Sequence, residues 1–281
     1  MSRQFLVLAA ALLIGVGASL QSVALSQDGQ KSAQPGGFPQ LPPGTPRGYL
    51  DPTALPDSLA LLPPPPALGS PGFARDEAAR EAVAKLRDMA RWSRATSDAD
   101  LHFPHAAETF SCAVNVPISQ ERMPHLYTLL GRAFVDVGLS TYRAKIHYQR
   151  VRPFVMHNGS SCTPAEENVL RTDGSYPSGH SAAGWGWALL LTEIVPDRAD
   201  AILARGRDFG ESRVVCNVHW QSDVDAGRVM AEAAVARLHA DPAFEADLAA
   251  AKAEIATARA NGALPAAEAC AAETASLQME R

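Results

Sequence analysis

Gly174-Ser-Tyr-Pro-Ser-Gly-His-Ser-Ala-Ala-Gly-Trp-Gly-Trp-Ala-Leu-Leu-Leu-Thr-Glu-Ile-Val195 is the stretch from which both fold and chemistry can be read. Ala182 to Val195 is apolar on every side, and Pro196 stops it. A helix that is apolar all round belongs in the centre of a bundle. Around it, apolar residues recur at three- and four-residue steps. Ala79, Val83, Leu86 and Ala90 predict a helix from Asp76 to about Arg94. Ser119 reads as the cap of a helix with the stripe Leu126, Leu129, Leu130, Ala133, Phe134 and Val137, ended or bent at Gly138. Asp197 reads as the cap of a helix reaching about Gly210. Val224 to Leu238 follows, and Asp241-Pro242 opens a last helix to Asn261-Gly262. No alternating strand pattern stands out. The expected fold class is all-α, a helical bundle around a buried central helix.

The start of the central helix carries chemistry. Ser178-Gly179-His180 places free backbone N–H groups and a partial positive charge at a helix entrance, which suits an anion. Gly179 lets the backbone come close to a ligand. Upstream, Lys145 is followed after six residues by Arg152-Pro153; on one helix, seven residues would put both cations on one face. Downstream, Ser212-Arg213 is followed after five residues by His219, and Asp223 lies four beyond it. A phosphoryl group in transit spreads charge over three oxygens. Arg152 and Arg213 present planar forks to such oxygens, and Lys145 a point charge. On a shared helical face Asp223 holds one nitrogen of His219 as N–H and frees the other to attack. His180 then protonates the leaving oxygen. Singly, each piece has an ordinary reading: a turn before a helix, a surface ion pair, two metal ligands, or solvated charges. In this order and spacing they make a phosphate site with a nucleophile and an acid.

Lys-x6-Arg-Pro, Pro-Ser-Gly-His and Ser-Arg-x5-His-x3-Asp resemble the signature of the type 2 phosphatidic acid phosphatase superfamily, which also holds vanadium haloperoxidases. Gly174 to His180, Cys216-Asn-Val-His-Trp-Gln-Ser-Asp-Val-Asp225 and Ser58-Leu-Ala-Leu-Leu-Pro-Pro-Pro-Pro66 narrow it to the class A bacterial nonspecific acid phosphatases. The resemblance runs from about Ser58 to about Ile255. Ser181 departs from it, standing where that class usually has threonine, but both residues carry a hydroxyl. The resemblance implies an all-α fold, hydrolysis of small phosphate monoesters with broad specificity through a phosphohistidine, and phosphate transfer to alcohols as a side activity. No metal or other cofactor is expected. Two rivals stay open: a vanadium-dependent haloperoxidase, in which the same residues hold vanadate, and a non-catalytic periplasmic phosphate-binding protein, which needs the cations but neither histidine.

Composition sets the surroundings. Residues 1–26 read as a secretory signal, with a positive start at Arg3, an apolar core from Phe5 to Gly17 and small residues after it. That core is short for a membrane span, and no later apolar run reaches 18 residues. Residues 27–66 form a lead-in arm holding 11 of the 21 prolines. The run Leu59 to Leu62 predicts that its end docks on the core. The phosphatase domain is expected over 67–262 and a tail over 263–281. Net charge is −5, which gives no reason to expect nucleic acid and makes the clustered cations more informative. The expected location is the periplasm, and homo-oligomer formation is left open. Cys112, Cys162, Cys216 and Cys270 are an even set in an exported chain. Cys162 and Cys216 lie in segments that converge on one phosphate, so they are expected to pair, leaving Cys112 to tie down the tail at Cys270. A reduced, buried Cys216 is the alternative.

Overall fold

The structure is a computed structural model in which residues 45–278 are described. The expected signal segment and the arm before residue 45 lie outside the described residues. The longer helices are α1 (Pro71–Ala84), α2 (Ala90–Ser97), α3 (Pro124–Ser140), α4 (Tyr142–Tyr148), α5 (Gly179–Ile194), α6 (Ala199–Val215), α7 (Gln221–Leu238), α8 (Pro242–Ala260) and α9 (Ala267–Leu277). Short helical turns join them, and there is no β-strand among the described residues. The all-α expectation holds.

The apolar stretch is the centre of the bundle. Helix α5 packs against α6, α7 and α3. Its Ala183, Trp187, Leu190 and Leu191 are buried in the main core with Leu126, Leu130 and Phe209. The indole N–H of Trp187 donates to the Leu130 carbonyl at 3.0 Å, so this large side chain is buried without an orphaned donor. Gly184 sets the spacing to α6: a Cβ there would stand 2.2 Å from Cδ1 of Phe209. Helix α5 can therefore lie close to α6, which carries Arg213.

Several boundaries differ from the sequence reading, each for a local reason. The helix expected over 76–94 is two helices. It starts at Pro71 with Ser70 as cap, breaks after Ala84, and resumes at Ala90 after Asp88 turns left-handed at φ 62°. Ser119 does not cap α3. Its carbonyl accepts from the Met123 N–H, and the helix begins at Pro124, whose missing N–H costs nothing in a first turn. Gly138 neither ends nor breaks α3, which runs on to Ser140. Asp197 is not the side-chain cap of α6; it pairs with Arg259 at 2.5 Å, and α6 runs past Gly210 to Val215. The tail contains a helix for which no expectation was made: α9 packs on α2 and is held by Cys112–Cys270.

Both expected disulfides are present: Cys112–Cys270 with Cα atoms 5.4 Å apart, and Cys162–Cys216 at 4.8 Å. The end of the arm docks as the apolar run predicted. Leu62 is buried with Tyr176 and Met230, the Tyr176 hydroxyl donates to the Pro63 carbonyl, and Ser58 Oγ accepts from the Ala144 N–H. One short segment thus braces both the first and the central motif. No helix among the described residues is long and apolar enough to cross a membrane.

Candidate active site

The three motifs meet at the N-terminus of α5. Lys145 and Arg152 do not share a helix, as their spacing alone would suggest. Helix α4 ends where Gln149 turns left-handed at φ 42°, and Arg152 lies beyond it as the residue capping a new turn at Pro153. The sharp turn brings the two cations together by another route. Lys145 Nζ donates to the Gly174 carbonyl at 2.7 Å, and Arg152 Nε donates to the Leu170 and Asp173 carbonyls. Gly174 is required here, because a Cβ would stand 2.7 Å from the Lys145 carbonyl oxygen. Both cations also lean on Asp173, at 3.7 Å from Lys145 and 3.0 Å from Arg152.

Ser178 caps α5, its Oγ accepting from the Ser181 N–H at 3.2 Å and from the Ser181 hydroxyl at 2.9 Å. With both bonds arriving at the oxygen, the Ser178 hydroxyl proton remains to be donated. The backbone N–H groups of Gly179 and His180 are the first-turn donors that an α-helix leaves without intrahelical partners. The Ser178 N–H donates to the Asp223 carbonyl at 2.9 Å, which ties the central motif to the third.

His219 precedes α7, and Asp223 sits in its first turn. One Asp223 oxygen, Oδ2, accepts from the Trp220 N–H at 2.9 Å and lies 3.3 Å from His219 Nδ1. Arg152 approaches His219 Nε2 at 3.0 Å. A guanidinium can only donate, so Nε2 must present its lone pair and Nδ1 must carry the proton. The tautomer expected from the His–x3–Asp spacing follows from this contact. His180 is only half-buried. Its Nε2 donates to the Ala99 carbonyl at 3.0 Å, which leaves Nδ1 as the ring atom able to give or take a proton.

Arg213 is set apart from the other cations. It is fully buried, and none of its three guanidinium nitrogens has a hydrogen-bond partner among the described residues. Burial pushes its pKa down to about 10 against the pull of Glu166, with Arg152 pushing the same way as burial. Burial likewise takes Lys145 down to about 8, with Arg152 adding to the shift and Asp173 opposing it. It drives His219 well below its ordinary value, reinforced by Arg152, Lys145 and Arg213. His180 is also lowered well below the ordinary value, by desolvation first and then by Arg213. All of these shifts reflect positive charge held in a dry place with too little negative charge beside it.

A cavity of about 210 Å³ opens over these groups. Lys145, Arg152, Gly179, His180, Arg213 and His219 line it, with Leu101, Phe134, Leu139, Tyr142 and Leu170 forming an apolar wall. Every residue expected at the site thus lines this cavity except Ser178 and Asp223, which are buried directly behind it. No cluster of three or more histidine, cysteine or acidic residues suited to a metal is found among the described residues.

The sequence reading missed the supports. Arg150 donates to Asp223 Oδ1 at 2.6 Å, to Asp76 Oδ2 at 2.7 Å and to Ser222 Oγ at 2.7 Å. Asp173 pairs with two of the three cations. Arg150 lies inside the six unspecified residues of the first motif, and Asp173 immediately precedes the central stretch. Their nearness to motifs was the only available signal.

The PAP2 superfamily matches residues 123–244. The chain is 46% identical over 209 residues to a non-specific acid phosphatase of Providencia stuartii, covering 74% of this chain and 84% of that protein. It is 41% identical over 213 residues to an acid phosphatase of Zymomonas mobilis, covering 74% and 79%. A non-specific acid phosphatase of Salmonella typhimurium is 42% identical over 200 residues, covering 71% and 80%.

Proposed function

The chain belongs to the PAP2 superfamily and is an acid phosphatase of small phosphate monoesters, and from that premise we propose that it works through a phosphohistidine on His219. The His219 Nε2 lone pair attacks phosphorus in line with the ester oxygen. The P–O bond breaks, its electron pair leaves with the alcohol oxygen, and that oxygen takes the Nδ1 proton of a His180 imidazolium, which the negative charge of the bound phosphoryl group stabilises against the burial that lowers its pKa. In the second half a water gives a proton to His180 Nδ1 and its oxygen attacks phosphorus. The P–N bond breaks, its electron pair returns to Nε2, and phosphate leaves.

Lys145, Arg152, Arg213, the Ser178 hydroxyl and the N–H groups of Gly179 and His180 hold the three equatorial oxygens throughout. The three cations supply charge of the kind that metal ions supply in other phosphoryl-transfer enzymes. Asp223 keeps His219 in the attacking tautomer. The observation that carries this reading is Arg213, a buried guanidinium lining the cavity whose three nitrogens have no hydrogen-bond partner among the described residues. A charge left in that state is costly to the fold and is satisfied by a multidentate anion.

Broad specificity fits a site whose polar contacts all converge on phosphate, while the wall offers only apolar surface. An open cavity also allows an alcohol to replace water in the second step, giving phosphotransfer. The signal-like residues 1–26 and the two disulfides support export to the periplasm. The test is trapping. With labelled p-nitrophenyl phosphate and an alkaline quench, which preserves phosphohistidine, the label should reside on His219. His219→Ala should fold and lose turnover. A normal adduct in that variant would refute the assignment.

A further inference from the structure

Asp223 has an unusual share of attention for the partner of a nucleophile. Its Oδ2 faces His219 Nδ1 at 3.3 Å, a long contact, and accepts a better one from the Trp220 N–H at 2.9 Å. Its Oδ1 is gripped by Arg150 at 2.6 Å. Arg150 in turn is held by Asp76 of α1 at 2.7 Å, with its guanidinium 5.5 Å from the Trp220 ring. Asp76 also accepts from the Ser222 N–H at 2.8 Å and the Ser222 hydroxyl at 2.7 Å. All three charged groups are almost wholly buried.

A bare carboxylate beside an imidazole favours the imidazolium and keeps the ring protonated in acid. A protonated His219 has no lone pair to attack with. An enzyme that acts in acid therefore needs the orientation Asp223 provides without its full charge. The charged groups around His219 otherwise are Lys145 and Arg152 from the first motif, Arg213 from α6, and His180 from α5, with Asp173 paired to the first two. The cations oppose protonation; a hydrogen bond between the ring and the Ser175 backbone favours it, and Asp223 is the carboxylate in contact with the ring. We propose that Arg150 is a positioning residue: its ion pair with Asp223, anchored by Asp76, holds the His219 imidazole in register while cancelling the carboxylate charge, and so sets the acid limit of activity. The proposal rests on His219 being the nucleophile. The downward displacement of the His219 pKa, caused by burial and then by Arg152, Lys145 and Arg213, fits a ring whose carboxylate partner is already neutralised.

Arg150→Gln alone leaves two buried carboxylates without a cation and threatens folding. The informative variant is therefore Arg150→Gln with Asp76→Asn, which removes one charge of each sign and leaves Asp223 uncompensated. Arg150→Lys serves as the charge-preserving control. The readouts are the pH profile of kcat/KM for phenyl phosphate and an NMR titration of the His219 ring in the same proteins. The double variant should lose activity at a pH about one unit higher than wild type, with the His219 titration moving upward by a similar amount. Arg150→Lys should stay near wild type in both. An acid limb and a titration that do not move, or that move downward while kcat falls, would overturn the proposal. Alkaline trapping in the wild type separates the two claims. No label on His219 defeats the nucleophile reading and the link to activity, whereas label on His219 with an unmoved titration defeats the role of Arg150 alone.

Discussion

Arg205 and Arg213 lie two turns apart on α6, both are buried, and the protein treats them in opposite ways. Arg205 is paired. It donates to Asp98 at 2.5 and 3.2 Å, and Glu273 of α9 stands 3.5 Å from its Nε. Ser212 closes the group by donating to Asp98 at 2.6 Å and accepting from Arg91 at 2.9 Å. Burial alone would lower the Arg205 pKa, but Asp98 and Glu273 outweigh it and the net shift is upward. Arg213 has no hydrogen-bond partner among the described residues, and burial outweighs the pull of Glu166 and Asp98, so its net shift is downward. Arg205 belongs to the architecture; in the proposed mechanism Arg213 is a charge the fold tolerates for a ligand. The location of a buried charge does not separate the two cases. The state of its hydrogen bonds does.

The largest test of the contrast is on the structural side. Arg205→Met strands Asp98 and should cost about 3–5 kcal/mol of folding stability, as breaking buried pairs does, read by denaturant unfolding. Activity per folded molecule should survive. If Arg205→Met unfolds like wild type, the pairing network is not what stabilises this end of the bundle.

Arg213 should behave the other way. Arg213→Lys keeps a charge but loses the two-pronged grip, and should lower kcat/KM by a factor of about 10²–10³, equivalent to roughly 3–4 kcal/mol of transition-state stabilisation. Steady-state kinetics with p-nitrophenyl phosphate checks it, and near-wild-type activity would remove Arg213 from the phosphate.

How much of this could be read beforehand divides along the same line. The cations, both histidines and Asp223 were legible because their spacings match a requirement of chemistry, and α5 was legible because an all-apolar helix has only one place to go. Cys162–Cys216 was legible because two segments had to meet at one anion, and Cys112–Cys270 because the tail had little else to hold it. The partners of Arg205 were not. Asp98 and Glu273 come from α2's end and from α9, more than 60 residues to either side, and no periodicity announces a contact between distant charges. The helix within the tail was not legible for a related reason. Residues 263–281 carry little apolar signal, and α9 is held by Cys112–Cys270 and by Glu273 rather than by a hydrophobic stripe. Asp88 broke the first expected helix through a backbone conformation, to which a side-chain pattern is blind.

Removing that tether sharpens the contrast further. Cys112→Ser with Cys270→Ser should cost about 2–4 kcal/mol in unfolding experiments, because the loop closed by the bond is long. It should leave kcat unchanged, since α9 reaches Arg205 and not the cavity. A fall in kcat would mean that the two arginines are coupled through α6.

The smallest effect concerns pH. Burial holds Lys145 down at about 8. Below that value it is charged in a dry place, a penalty relieved between about 8 and the ordinary lysine value, where the unfolded chain binds more protons and stability contributed by this group rises with pH. Binding changes in the opposite sense: as Lys145 loses its proton, KM should rise above pH about 8, by at most about tenfold per pH unit for one proton. A KM flat from pH 7 to 9.5 would show that Lys145 does not help to hold the substrate.

The most direct test of the central claim is the unfolding free energy of wild type and Arg213→Met, each with and without inorganic phosphate. Removing an unpaired buried cation should leave the variant at least as stable as wild type when phosphate is absent. Phosphate at a hundred times its dissociation constant should stabilise wild type by about 2.7 kcal/mol and the variant by far less at the same concentration. A variant that loses stability without phosphate as Arg205→Met does, or that gains as much from phosphate as wild type, would contradict the account.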